Sequence, residues 1–365
     1  MATTSQSLPV GARPRSRILD YPAGGAWFDL IVALLSTWFV VGIYVDGWAH
    51  RNNQVDNTFF TPWHALLYSG VAVCGAFLAF MQMRYVSRGH AWRFALPKGY
   101  LLSLIGVVLF LLGGGFDFFW HEAFGFEANR EALYSPAHLI LAASGAMILT
   151  GPLRAAWGRS RSEQRQGWAG YLPVVMALTL LAGVLTFFTM DSNLYASYWV
   201  FIDRPPRGGD TEFYKDMVGI GASLITPTIL MGTLLFAIRR WGRQLPFGAV
   251  TFVVTGVSAL AFWLTLDLRI LPLPPTWITL GAALVAGLLG DVLLRFLQDG
   301  QSWVLRVFAF VTLFVWLLLY YILLNSVSPM WWRIHLSLGM AFVAGVIGLL
   351  LSYLTTPPSL EPEAS

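Results

Sequence analysis

Ten predominantly apolar stretches of 17 to 22 residues follow one another along the chain, at 28–46, 64–83, 99–118, 137–153, 171–190, 217–238, 247–266, 277–294, 304–324 and 334–354. Each has the length a helix needs to cross the hydrocarbon core of a bilayer. Inside lipid every backbone polar group must find its partner within the protein, which leaves the α-helix as the element for stretches of this kind. The expectation is therefore an all-α, polytopic membrane protein of about ten transmembrane helices. Many of the 16 tryptophans stand at the ends of the stretches, among them Trp27, Trp48, Trp63, Trp120, Trp157, Trp199, Trp241 and Trp303. An amphipathic ring prefers that position, at headgroup level.

Charge sets an orientation. With the N-terminus inside, the inner connections hold 16 of the 23 Lys and Arg residues and the outer ones 7, so both termini are expected in the cytoplasm of a multi-pass cell-membrane protein. Every outer connection then joins an odd helix to the next even one, giving five outward-opening hairpins. The net charge of +4 comes from residues spread over loops, which suits membrane orientation and not a nucleic-acid partner. The bilayer is the expected surrounding. A single cysteine, Cys74, lies in an apolar stretch and rules out an internal disulfide or a thiolate cluster. Residues 1–26 read as a cytoplasmic tail without the features of a cleaved signal peptide. Residues 27–156 form a four-helix unit. Residues 157–354 add six further helices and the long outer connection 191–216, a polar surface loop by composition, and 355–365 read as a disordered cytoplasmic tail. Pro227 is expected to interrupt the sixth helix.

A polar pattern occurs twice in the four-helix unit. Asp46, His50, Asp56 and His64 match Asp117, His121, Glu127 and His138 in order: Asp-x3-His, an acid six residues on, then an aromatic, Thr or Ser, Pro, any residue and His. Four of the six histidines belong to these copies. Asp and the first His are four residues apart, so both project from one helix face if the helix continues that far. Pro62 or Pro136 begins the returning helix and puts the second His in its first turn. Each hairpin can bring one carboxylate and two imidazoles together at the outer membrane edge, which is a ligand set for a transition metal with open coordination positions. One such pattern alone would more often cap or pair within the fold; its repetition tips the reading to metal. Asp56 and Glu127 are candidates for groups that orient the imidazoles, although an acid in an outer loop is more often simply solvated. Weaker echoes at Asp191, Asp267 and Pro329 to His335 suggest duplication of a hairpin. His90 lies in a basic inner loop. Haem is a poorer fit, because paired haem histidines usually project into a bundle interior from facing helices.

The Asp-x3-His, gap, His arrangement resembles the C subunit of the copper membrane monooxygenases, the particulate methane- and ammonia-oxidising enzymes. The resemblance covers about forty residues and carries better onto Asp46, His50 and His64, with thirteen residues between the histidines, than onto Asp117, His121 and His138, with sixteen. It implies copper, with zinc or iron as alternatives, and through it a copper-dependent oxidoreductase or a subunit of one, working with other membrane subunits or an electron donor. Two other classes stand beside this. One is a transporter of a metal or small solute, against which the later helices show few ionisable groups at midplane depth. The other is a non-catalytic membrane subunit packing through its glycines. A nucleotide-binding loop, a zincin motif and a hydrolase nucleophile elbow are all missing from the sequence.

Overall fold

The computed structural model describes residues 17–54, 58–125, 133–160, 164–266, 275–296 and 302–355. The loop acids Asp56 and Glu127, Asp267 and the C-terminal tail from 356 lie outside them. The described residues are helical throughout, apart from turns and one isolated bridge between Ile18 and His90. In chain order the helices are α1 Ala26–Arg51, α2 Pro62–Ser87, α3 Leu101–Phe124, α4 Pro136–Leu149, α5 Gly151–Trp157, α6 Trp168–Phe188, α7 Trp199–Ile202, α8 Asp210–Trp241, α9 Ala249–Trp263, α10 Leu280–Arg295, α11 Ser302–Val327 and α12 Ile334–Thr355.

Eight of these segments are long and apolar enough to cross a membrane: α1, α2, α3, α6, α8, α10 with the short turn before it, α11 and α12. A ninth crossing results if α4 and α5, bent by 44° at Thr150, count as one broken span. At 15 residues, α9 rises only about 22 Å, short of the roughly 30 Å hydrocarbon core. The helices thus reach eight or nine crossings by length, against the ten stretches seen in the sequence.

Two apolar cores meet at α6. One lies among α1 to α4 and is built on Phe39, Tyr44, Cys74, Val107, Phe110 and Ile148; the other holds α6 to α12 and includes Trp316, Tyr320 and Phe201. Helix α1 packs on α2, α3 on α4, α9 on α10 and α11 on α12, with α6 against both α1 and α9. Glycine sets the closest approach. A methyl on Gly42 would sit 2.5 Å from the Leu67 Cα, and one on Gly70 2.7 Å from the Phe39 amide nitrogen, so α1 and α2 touch backbone to backbone near the pair of triads described below.

Pro227 does not interrupt its helix, since α8 runs unbroken through it. The break falls at Thr150, just before Pro152. A proline ring clashes with the carbonyl four residues back, here Ile148, and that carbonyl bends to accept from Ser103 Oγ at 3.1 Å. Arg154 secures the bend by donating to Gly99 O at 2.9 Å and Ser103 Oγ at 2.8 Å. The connection 191–216 also departs from a surface loop. Asn193 to Ser197 are buried, and only its later part, around Asp203 to Gly209, is largely exposed. Asn193 Oδ1 accepts the amides of Tyr195 and Ala196, and Tyr320 donates to Leu194 O at 2.5 Å. These bonds satisfy the backbone and let the segment enter the bundle.

Candidate metal centre

The repeated motif folds the same way twice. Helix α1 continues to Arg51 and α3 to Phe124, so each Asp-x3-His lies within one helix and faces one way. The returning helices start alike. Thr61 caps α2 and Ser135 caps α4, and each side-chain oxygen accepts the amide of the histidine three residues on, His64 N at 3.1 Å and His138 N at 3.2 Å. Proline occupies the first helical position in both, where its missing N–H costs nothing. The string Thr/Ser-Pro-x-His is thus a helix cap whose third helical residue is the imidazole. The letters of the motif do not by themselves show that the hydroxyl holds the histidine backbone in place.

The structure brings Asp46, His50 and His64 together, and likewise Asp117, His121 and His138, with one ligand atom of each residue within 4.8 Å of the others in its set. Asp46 Oδ1 is 3.5 Å from His64 Nε2, and Asp46 Oδ2 is 3.8 Å from His50 Nε2. In the second set a single oxygen, Asp117 Oδ1, lies 3.5 Å from His121 Nε2 and 3.6 Å from His138 Nε2. An ion pair closed by a proton would draw nitrogen and oxygen to about 2.7–2.9 Å. Atoms that share a tetrahedral metal at about 2.0–2.2 Å stand about 3.3–3.6 Å apart. Three of the four spacings fall in the second range, and that of His50 at 3.8 Å lies just beyond it.

Two further details fit a cation at these points. Asp46 Oδ1 and Asp117 Oδ1 are buried and accept no hydrogen bond among the described residues, an expensive condition for a carboxylate. The tautomer of His64 follows from its other nitrogen. Nδ1 lies 2.6 Å from Phe59 O, and since a carbonyl only accepts, Nδ1 carries a proton and Nε2, facing Asp46, is the nitrogen that could bind a metal. His121 repeats the arrangement more weakly, with Nδ1 3.4 Å from Gly125 O. Such a carbonyl fixes the ring and its tautomer in metal-binding histidines.

The sets differ in exposure. The Asp46 and Asp117 side chains are 16% and 3% exposed, and those of His50 and His121 48% and 9%. The sets also sense each other electrostatically, for Asp46 interacts with Asp117 and His138 as well as with its own histidines. Phe59, from the turn before α2, packs its ring tilted against His64 at 4.9 Å and edge-on against Phe118, the neighbour of Asp117, at 5.5 Å. Asp56 and Glu127 lie outside the described residues. His90 donates to or accepts from nothing near the triads and instead meets Asp20 O, while His335 lines a separate surface cleft with Arg204, Arg207 and Arg333. No protein-family model matches the chain, and neither does any curated protein or solved structure.

Proposed function

We propose that this protein is a membrane metalloprotein with two Asp/His transition-metal sites, held by Asp46, His50 and His64 and by Asp117, His121 and His138. The observation that carries the reading is a buried carboxylate with an orphaned oxygen beside imidazole nitrogens, two of them on Asp117 Oδ1 and one on Asp46 Oδ1 with His50 nearer the other oxygen, built twice by one local design. Copper is the favoured ion, by the likeness of Asp-x3-His and its distal histidine to the copper membrane monooxygenases, with zinc or iron as alternatives. The proposed activity is that of a copper-dependent oxidoreductase or a subunit of one. A bound ion of this type with three protein ligands supplies open positions for a small ligand and Lewis-acid or redox chemistry.

The protein's own contribution is positional. The caps at Thr61 and Ser135 hold the distal histidines, the Phe59 carbonyl orients His64, and the Phe59 ring packs against both His64 and Phe118. In the proposed topology ten crossings arise with α9 completing a span, both termini are cytoplasmic and the triads face outward. The hairpin carrying each triad is read as a duplicated unit.

Transport is the second reading, and the buried acids elsewhere speak against it. Asp29 pairs with Arg159 and accepts from Tyr100 at 2.6 Å. Asp291 accepts from the Val250 amide at 3.1 Å and the Thr251 amide at 2.9 Å, capping α9. Each serves the fold and neither continues a polar line from the triads.

The test is elemental analysis of the detergent-purified protein beside His64→Ala, His138→Ala and the double variant. The expected result is up to two equivalents in the wild type, one set lost in each single variant and none held in the double. Wild-type protein that stays metal-free after reconstitution with copper, zinc and iron would end the proposal.

A further inference from the structure

Tyr68 stands between the two triads and belongs to neither. It follows His64 by one turn of α2, with ring centroids 6.2 Å apart. Its hydroxyl reaches across to α3, where a Cβ built on Gly114 would lie 2.8 Å from the phenolic oxygen. Gly114 precedes Asp117 by one turn, and helical side chains lean toward the N-terminus of their helix. The Asp117 carboxyl and the phenol therefore share one level between α2 and α3. Tyr68 lies within electrostatic reach of Asp117, and less strongly of Asp46. Phe59 and Phe110 fix its ring at centroid distances of 6.0 and 5.8 Å. Tyr68 is half-buried, and its hydroxyl is directed at the side-chain-free surface of α3 at Gly114, where a phenol O–H is a ready donor.

Resting on the metal reading above, we propose that Tyr68 is a positioning residue for the small ligand that completes coordination at the Asp117 triad. Its O–H donates to a water-sized oxygen or nitrogen donor held there, and Gly114 is the space that lets the phenol arrive. A hydrogen bond of this kind holds the ligand, not the ion. Loss of the hydroxyl should weaken small-ligand binding and leave metal content alone, whereas a purely structural tyrosine would do neither or would cost the metal.

The probe is azide, titrated optically into copper(II)-loaded full-length protein in lipid nanodiscs. His50→Ala removes the more exposed triad and serves as the background. Tyr68→Phe in that background should keep one copper and raise the azide Kd about tenfold, the effect of one hydrogen bond. Gly114→Ala should raise it likewise with the phenol still present. In a His138→Ala background, where only the Asp46 triad remains, Tyr68→Phe should leave azide binding unchanged. Unaltered azide affinity with full copper in Tyr68→Phe would overturn the inference while leaving the metal reading intact, and so would loss of copper from that variant. Parent protein that takes up neither copper, zinc nor iron would defeat the metal reading itself and this inference with it, whereas parent protein that takes up zinc or iron but not copper would overturn the inference alone.

Discussion

At the scale of single residues, the triads are held in a state that costs the metal-free protein stability. Asp117 Oδ1 is buried, unbonded and flanked by two imidazole nitrogens, a buried acceptor of the kind that costs about 1–3 kcal/mol when left unsatisfied. Asp117→Asn replaces a charge with an amide that can donate to an imidazole. The expected outcome is a variant that melts higher than wild type when both are stripped with chelator, and that loses the second metal equivalent. Thermal unfolding in detergent with and without metal checks both halves, and a metal-free Asp117→Asn protein no more stable than wild type would show that the oxygen carries no such cost. The grouping of the six candidate residues into two sets was legible because their type and spacing occur twice. The carbonyls of Phe59 and Gly125 were not, since any residue supplies a carbonyl and only the folded turn aims it.

At the scale of helices, each triad depends on how closely its pair of helices packs and how the second one starts. Ser135→Ala removes the oxygen that holds the His138 amide and should cost about 1 kcal/mol, together with a loss of affinity at the Asp117 set. Ser135→Thr should restore both, as Thr61 does the same work in the first copy. Metal titration of the pair of variants reads this directly. Gly70→Val places a side chain against the Phe39 backbone, which must spread α1 from α2. The first site should be lost and the second kept, and loss of both together would mean the helix pairs are not independent. Helix starts were readable from Pro62 and Pro136, residues suited to the first turn, whereas the caps at Thr61 and Ser135 emerge only in the fold. The helix break was misplaced because proline position alone does not decide it. Pro227 sits in a helix that stays continuous, whereas at Thr150 the freed Ile148 carbonyl accepts from Ser103 and the Met147 carbonyl from Arg154.

At the scale of the whole molecule, the apolar stretches made the membrane class plain, and the exact number of crossings was less so. Helix α9 is the case in point, because 247–266 is apolar for 20 residues and yet helical for 15. Loop 191–216 was misread for a related reason. Its average composition is polar, but its first part satisfies its own backbone through Asn193 and so can be buried. Orientation is open to direct measurement, since Cys74, the one cysteine, is fully buried and the natural chain already serves as an unreactive background. Thr58, exposed in the turn ahead of α2, marks the triad edge. Thr58→Cys should react with a membrane-impermeant maleimide on intact spheroplasts, and Ser87→Cys at the other end of α2 only after lysis. The opposite pattern would turn the protein over.

The unequal shielding of the two sets has a consequence in time. An ion at the Asp46 set would leave through His50, a ring half open to its surroundings, while one at the Asp117 set would have to part from a carboxylate almost wholly enclosed. Their residence times should therefore differ even if their affinities do not. A chelator added to loaded protein should draw off the metal in two phases, the quick one missing from His50→Ala and the slow one from His138→Ala. Loaded with metal, such a molecule would have one centre that keeps pace with the supply around it and one that holds what it first received.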